Sequence, residues 1–239
     1  MAARIQNMTE GKPLKLILAF SLPLMIGNVF QQLYTVVDTM VVGQALGVGA
    51  LAALGAADWL NWMILGTIQG FTQGFSIKMS HEFGAGDYKR LRKTVANSLL
   101  LALVTSVVLL LFSQFFARPI LELLQTPDLI IEDSLSYLRI MFAGIPVVMA
   151  YNILASILRA LGDGKTPLYA MVVAAVINVI LDLVFVLGFH WGIMGAAGAT
   201  VIAQFCSGLF CLFAILRVEV LAFSKEDFRM DSSLCMYLI

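Results

Sequence analysis

The sequence predicts an all-α polytopic membrane protein in which six transmembrane helices form one lobe, and three observations carry that prediction. Hydrophobic residues make up 60% of the 239 residues and charged residues 13%, and the mean hydropathy is strongly positive, well outside the balance of a soluble domain. Six segments reach the roughly 20 mainly apolar residues that cross about 30 Å of hydrocarbon. The positive charges gather on one side of those segments.

Taken in order, residues 1–13 form a cytoplasmic N-terminus. The first span covers about 14–44, and Pro23 within it predicts a bend, because proline lacks a backbone N–H and clashes with the preceding turn. The second covers about 51–79. The third, about 94–117, holds the uncharged run VANSLLLALVTSVVLLLFSQFFA. The fourth covers about 134–159, the fifth 167–189 and the sixth 193–216, with short connections throughout. The first apolar segment is long, lacks a convincing cleavage site and is followed by further spans, so it reads as an uncleaved helix and not as a signal peptide. Residues 217–239 read as a cytoplasmic connector and the truncated start of a seventh helix.

Orientation follows from the placement of Lys and Arg. Arg4, Lys12 and Lys15 stand at the start of the first span, and Lys89, Arg90, Arg92 and Lys93 between the second and third. Lys165 follows the fourth, and Arg217, Lys225 and Arg229 follow the sixth. The opposite side carries Arg118 beside Glu122, Asp128, Glu132 and Asp133. Cytoplasmic loops retain positive charge, so both termini are expected in the cytoplasm of a multi-pass plasma-membrane protein.

Within the spans, three acids stand in the wrong solvent: Asp38, Asp58 and Asp182. Ionisable residues in a bilayer cost several kcal/mol and face a bundle interior or a wet cavity. Asn178 and Asp182, in INVILDLVFV, are spaced i, i+4 and share one face. Asp182 and Thr200 lie nearly symmetrically about the turn at Trp191 and Gly192, and Asp38 lies a similar distance inside the outer end of its helix. Asp38, Asn178, Asp182 and Thr200 are therefore expected to converge at one level, on the order of 10 Å below the outer surface. Carboxylates and an amide carbonyl suit a Na⁺-like ion, or a proton; no Lys or Arg of these spans is placed to neutralise them. Asp58 lies near the outer end of the second span, where water reaches it, and has no assigned role.

Gln31, Tyr34, Thr35 and Asp38 fall on one stripe of the first helix, and Gln69 and Gln73 add polar groups in the second. These five residues beside Asp38 are candidates for lining a wet, mildly acidic substrate cavity. Gly66, Gly70, Gly74, Gly195 and Gly198 recur at close helical spacing, as tight helix packing requires.

Other signals exclude functions. Cys206, Cys211 and Cys235 show no CxxC pairing, so neither a zinc site nor a disulfide framework is expected. HEFGAG at His81 is not HExxH and follows no strand, so neither zinc nor phosphate binding follows. KRLRK reads as a topology signal near acidic lipid head groups, and a net charge of zero gives no case for nucleic acid. Nothing resembles a catalytic nucleophile with its base, so no enzyme and no cofactor is expected.

The chain resembles the multidrug and toxic compound extrusion (MATE) family of cation-coupled antiporters over about residues 11–230. The likeness is carried by FSLPLMIGNVFQQLYTVVDTMVVGQALG, EFGAGDYKRLRK, SILRALGDGKTPLY, INVILDLVF and GAAGATVIAQ, in this order and spacing. It implies export of drugs, organic cations or toxic metabolites driven by inward Na⁺ or H⁺. It implies coupling roles for Asp38, Asn178, Asp182 and Thr200, and bending of the first helix at Pro23. Full family members have twelve helices in two lobes, and this chain corresponds to the amino-terminal lobe, which implies a second copy or a complementary lobe as partner. The alternatives are a non-transporting truncated product or partner subunit, and a flippase of lipid-linked saccharides. The flippase reading fits less well, because its cavity calls for basic groups and the intramembrane charges here are acidic apart from Arg139.

Overall fold

The computed structural model describes residues 12–221 and residue 227. Arg4, Lys225, Arg229, Cys235 and the expected start of a seventh helix lie outside the described residues. Among the described residues seven α-helices follow one another: α1 (Pro13–Leu46), α2 (Val48–Gly84), α3 (Tyr88–Leu123), α4 (Asp128–Ala143), α5 (Ile145–Ala160), α6 (Lys165–Asp182) and α7 (Gly192–Ile215). A π-helical turn, Leu183–Gly188, continues α6, and a 3₁₀ turn, Glu219–Leu221, follows α7. Among the described residues five helical stretches are long and apolar enough to cross a membrane, and α4 with α5, taken together, makes a sixth, broken one.

The helices overrun the apolar segments because flanking polar residues also favour helix. KRLRK lies inside α3, whose start is capped by the Asp87 carboxylate accepting from Arg90 N–H at 3.0 Å. Such a cap satisfies a backbone donor that the helix itself leaves free. Arg118, expected in a connection, lies inside α3 and bridges to Glu122 one turn on and to Glu132 of α4. At α6 the Asp163 carboxylate accepts from Lys165 N–H, Thr166 N–H and the Thr166 hydroxyl. Between α1 and α2 the chain reverses on Gly47 alone, at φ +83°, a conformation open to glycine and costly for other residues.

The fourth span differs from the expected continuous helix: it bends by 47° between α4 and α5. Pro146 stands in the first turn of α5, where its missing N–H leaves the carbonyl of Phe142 without a helical partner. Gly144 at the bend is also the place where α7 crosses. A Cβ there would lie 2.5 Å from Val201 Cγ2.

The core lies between α2, α3, α4, α5 and α7, around Phe75, Leu138, Phe142, Met149 and Leu158. α1 sits at the margin, packed chiefly on α6 and less on α2 and α7; Leu18, Leu22, Met25 and Leu33 of α1 point outward, as hydrocarbon solvation requires. The expected glycine packing divides. Gly195 meets Phe185 and Trp191, where an added Cβ would stand 3.1 and 3.2 Å from their Cβ atoms, but Gly66, Gly70, Gly74 and Gly198 face open space. Spacing alone could not separate them, because a glycine stripe looks the same on an occupied face and on a bare one.

Candidate cation site

The bundle end carrying Gly47 and Trp191 is the reference for depth. Asp38 stands eight residues before Leu46 in α1, and Thr200 eight after Gly192 in α7. Asp182 and Asn178 stand six and ten residues before Gly188. At 1.5 Å per residue all four lie roughly 9–15 Å from that end. α6 and α7 form the most extensive pair in the bundle, with α1 against α6, and the Ser207 hydroxyl ties α7 to the Ala170 carbonyl of α6 at 2.9 Å.

The four expected residues meet in this wedge. Asn178 Nδ2 donates to Thr200 Oγ1 at 3.3 Å, and the carboxylates of Asp38 and Asp182 interact electrostatically. Asp38 is 7% exposed, Asn178 1% and Asp182 0%. Asp182 closes α6, and the wider π-helical turn begins at the next residue. Such turns re-aim side chains and are frequent at functional sites; no sequence period announces this one.

The acceptors outnumber the donors here. Asp38 Oδ1, Asn178 Oδ1 and both oxygens of Asp182 are sealed from solvent without a hydrogen-bond partner. A buried acceptor left unsatisfied costs about 1–3 kcal/mol, and an unpaired carboxylate more. With its amide N–H end on Thr200, Asn178 leaves its carbonyl oxygen as a further acceptor without a donor. The arrangement can coordinate a hard cation through oxygen, or take up a proton on a carboxylate.

Two further residues enter the cluster that sequence reasoning missed. Gln204, one turn beyond Thr200, interacts with Tyr34 of α1, while its Oε1 is buried and unpartnered. Its i, i+4 spacing from Thr200 repeats that of Asn178 and Asp182 and was the available signal. Tyr137 of α4 is 4% exposed and feels the charges of Asp38, Asp58 and Asp182; nothing in its own segment marks it. Asp58, half-buried on α2, interacts electrostatically with Asp38, which links it to the cluster.

The expected cavity stripe is partly assembled. Tyr34 and Gln31 are half-buried and in contact, whereas Thr35 is exposed and its hydroxyl donates to the Gln31 carbonyl at 3.0 Å. Gln69 and Gln73 are exposed, on the face of α2 opposite its buried side, and the structure does not bring them to Asp38. Pro23 lies within α1, which is helical from Pro13 to Leu46. Beside it a small cleft is lined by Ala19 and Phe20 of α1 and by Gly162, Asp163, Gly164 and Lys165 of the α5–α6 turn. The turn sits close: a Cβ on Gly164 would stand 3.4 Å from the Phe20 ring.

Comparison with known proteins places this geometry. The family model described as MatE matches residues 23–184. A probable multidrug resistance protein of Bacillus subtilis, YoeA, is 34% identical over 92% of this chain and 49% of its own length. A second from the same organism, YpnP, is 32% identical over 91% of this chain and 49% of its own. Among solved structures, a MOP superfamily transporter from Pyrococcus furiosus superposes with a TM-score of 0.92 at 25% identity, over 100% of this chain and 53% of the other. A MATE structure in a bent conformation superposes with a TM-score of 0.87 at 26% identity, over 98% of this chain and 52% of the other. The chain thus spans about half the length of the relatives it matches.

Proposed function

Because the chain belongs to the multidrug and toxic compound extrusion family, we propose that it is one lobe of a cation-coupled antiporter that exports organic cations, drugs or toxic metabolites across the plasma membrane. The observation that carries this reading is the set of buried, unpartnered oxygens on Asp38, Asn178 and Asp182, in a protein whose relatives are multidrug resistance proteins. Na⁺ or H⁺ entering that wedge supplies the missing positive charge. Both termini are cytoplasmic in this reading, so the site opens toward the outer face.

Coupling follows from where the two acids are mounted. Asp182 stands on α6, inside the α6–α7 pair, and Asp38 stands on α1, at the margin of the bundle and packed chiefly on α6. An ion shared by the two carboxylates draws α1 toward α6. Pro23 gives α1 a point at which its two halves respond differently, because the proline interrupts the hydrogen-bond ladder. The Tyr34 and Gln31 stripe moves with the outer half. Ion binding there changes the surface presented to an amphipathic cation, and differential affinity of the two states is what drives release. A second lobe, supplied by another copy of the chain or by a complementary lobe, completes the cavity wall.

The test is efflux of a fluorescent organic cation from pump-deficient cells expressing the 239-residue chain, beside Asp182→Asn at equal membrane abundance. Efflux by the wild-type chain that disappears with Asp182→Asn supports the proposal. Equal efflux by both refutes the coupling role of Asp182, and no efflux by either refutes transport by this chain alone.

A further inference from the structure

We propose that Gln204 belongs to the ion site, its side-chain carbonyl oxygen serving as a ligand to a monovalent metal cation while its amide N–H end holds Tyr34. One side chain then joins the ion to the polar stripe of α1. This rests on the cation-coupled reading above and extends it to a residue outside the four that the resemblance implies.

Three observations support it. First, Gln204 and Tyr34 share a level: each stands twelve residues from the same end of the bundle, Gln204 after Gly192 and Tyr34 before Leu46. At 1.5 Å per residue this is about 18 Å deep, one turn below the carboxylates. Second, Gln204 Oε1 is sealed from solvent without a partner, although the same side chain reaches Tyr34. Like Asn178 Oδ1, it is therefore an amide oxygen left over in the same wedge. Third, the excess of acceptors is too large for one proton. Asp38 Oδ1, Asn178 Oδ1, both Asp182 oxygens and Gln204 Oε1 all lack a donor. A proton on a carboxylate converts one acceptor into a donor and satisfies one other, and amide oxygens do not take it up. A metal ion is coordinated by several oxygens at once, and carboxylate and amide oxygens are the ligands hard cations take.

Gln204 also explains how ion occupancy reaches α1 by a route besides Asp38. Drawing the carbonyl toward the ion pulls on the amide end, and with it on the Tyr34 hydroxyl. Asp38 and Tyr34 are themselves one turn apart on α1, so the ion grips α1 at two successive turns.

The experiment is binding of radiolabelled Na⁺ to the purified full chain in detergent, with K⁺ as competitor and thermal unfolding as the check on folding. Gln204→Leu is expected to weaken Na⁺ binding about tenfold, the loss of one charge-assisted contact, and to reduce the preference for Na⁺ over K⁺. Gln204→Glu, which keeps the oxygen, is expected to bind Na⁺ at least as tightly as wild type. Where Gln204→Leu does not yield folded protein, Gln204→Met decides by the same criterion. Unchanged Na⁺ affinity and selectivity in the Leu or Met variant, with binding lost in Asp182→Asn, overturns the role of Gln204 and leaves the coupling site standing. No Na⁺ binding by the wild type, or full binding by Asp182→Asn, overturns the metal-ion site itself and this inference with it.

Discussion

Gly144→Ala tests the packing at the broken span. The added methyl would stand 2.5 Å from Val201 Cγ2 and 3.0 Å from Val201 Cγ1, and 3.1 Å from the Met141 carbonyl oxygen. Val201 cannot easily turn aside, because a β-branched side chain in a helix has one strongly preferred rotamer. Either α7 shifts or the bend opens, and overpacking of this kind costs about 1–3 kcal/mol. For a chain of 239 residues this lowers the melting temperature by roughly 2–12 °C, readable by thermal unfolding of the purified chain in detergent. Val201→Ala removes both clashing methyls, so Gly144→Ala combined with Val201→Ala is expected to lie well above the value that the two single changes predict by addition. Strict additivity would refute the contact between the bend and α7 as the source of the loss.

Three other predictions follow from the same geometry. Asp163→Ala removes three hydrogen bonds at the start of α6 and is expected to destabilise the protein by about 1–2 kcal/mol in the same melting assay, with Asp163→Asn recovering part of it. Gly70→Ala, on a face of α2 with nothing within 4 Å of the added carbon, is expected to raise the stability of the purified chain by about 0.5–1 kcal/mol; a loss instead would show that face packed in solution. Asn178→Leu and Thr200→Val, measured singly and together, are expected to show a coupling energy of about 0.5–1.5 kcal/mol, and zero coupling would separate the two side chains.

Much of this was legible in the sequence, for identifiable reasons. Apolar run length locates the spans, because hydrocarbon thickness fixes the length that must be apolar. Depth arithmetic brings Asp38, Asn178, Asp182 and Thr200 to one level, because an α-helix has a constant rise and short connections keep neighbouring helices in register. What escaped were features without a period. The bend at Gly144 depends on Pro146 together with the crossing of α7, and the π-helical turn after Asp182 has no mark in the local sequence. Gln204 carried a signal in its spacing from Thr200, but Tyr137 enters the cluster through the packing of α4 on its neighbours, which its own segment does not mark. The glycines of α2 mislead for the converse reason: Gly66, Gly70 and Gly74 have the spacing of a packed seam and face open space.

The central claim is that cation entry at Asp38 and Asp182 drives substrate movement the opposite way. The most direct measurement reconstitutes the full chain in sealed proteoliposomes loaded with a fluorescent organic cation and imposes, separately, an inward Na⁺ gradient and an inward H⁺ gradient. The account predicts that at least one gradient accelerates substrate exit, that the matching ionophore abolishes the acceleration, and that Asp182→Asn shows none. Exit at one rate regardless of gradient, ionophore and Asp182 would contradict it.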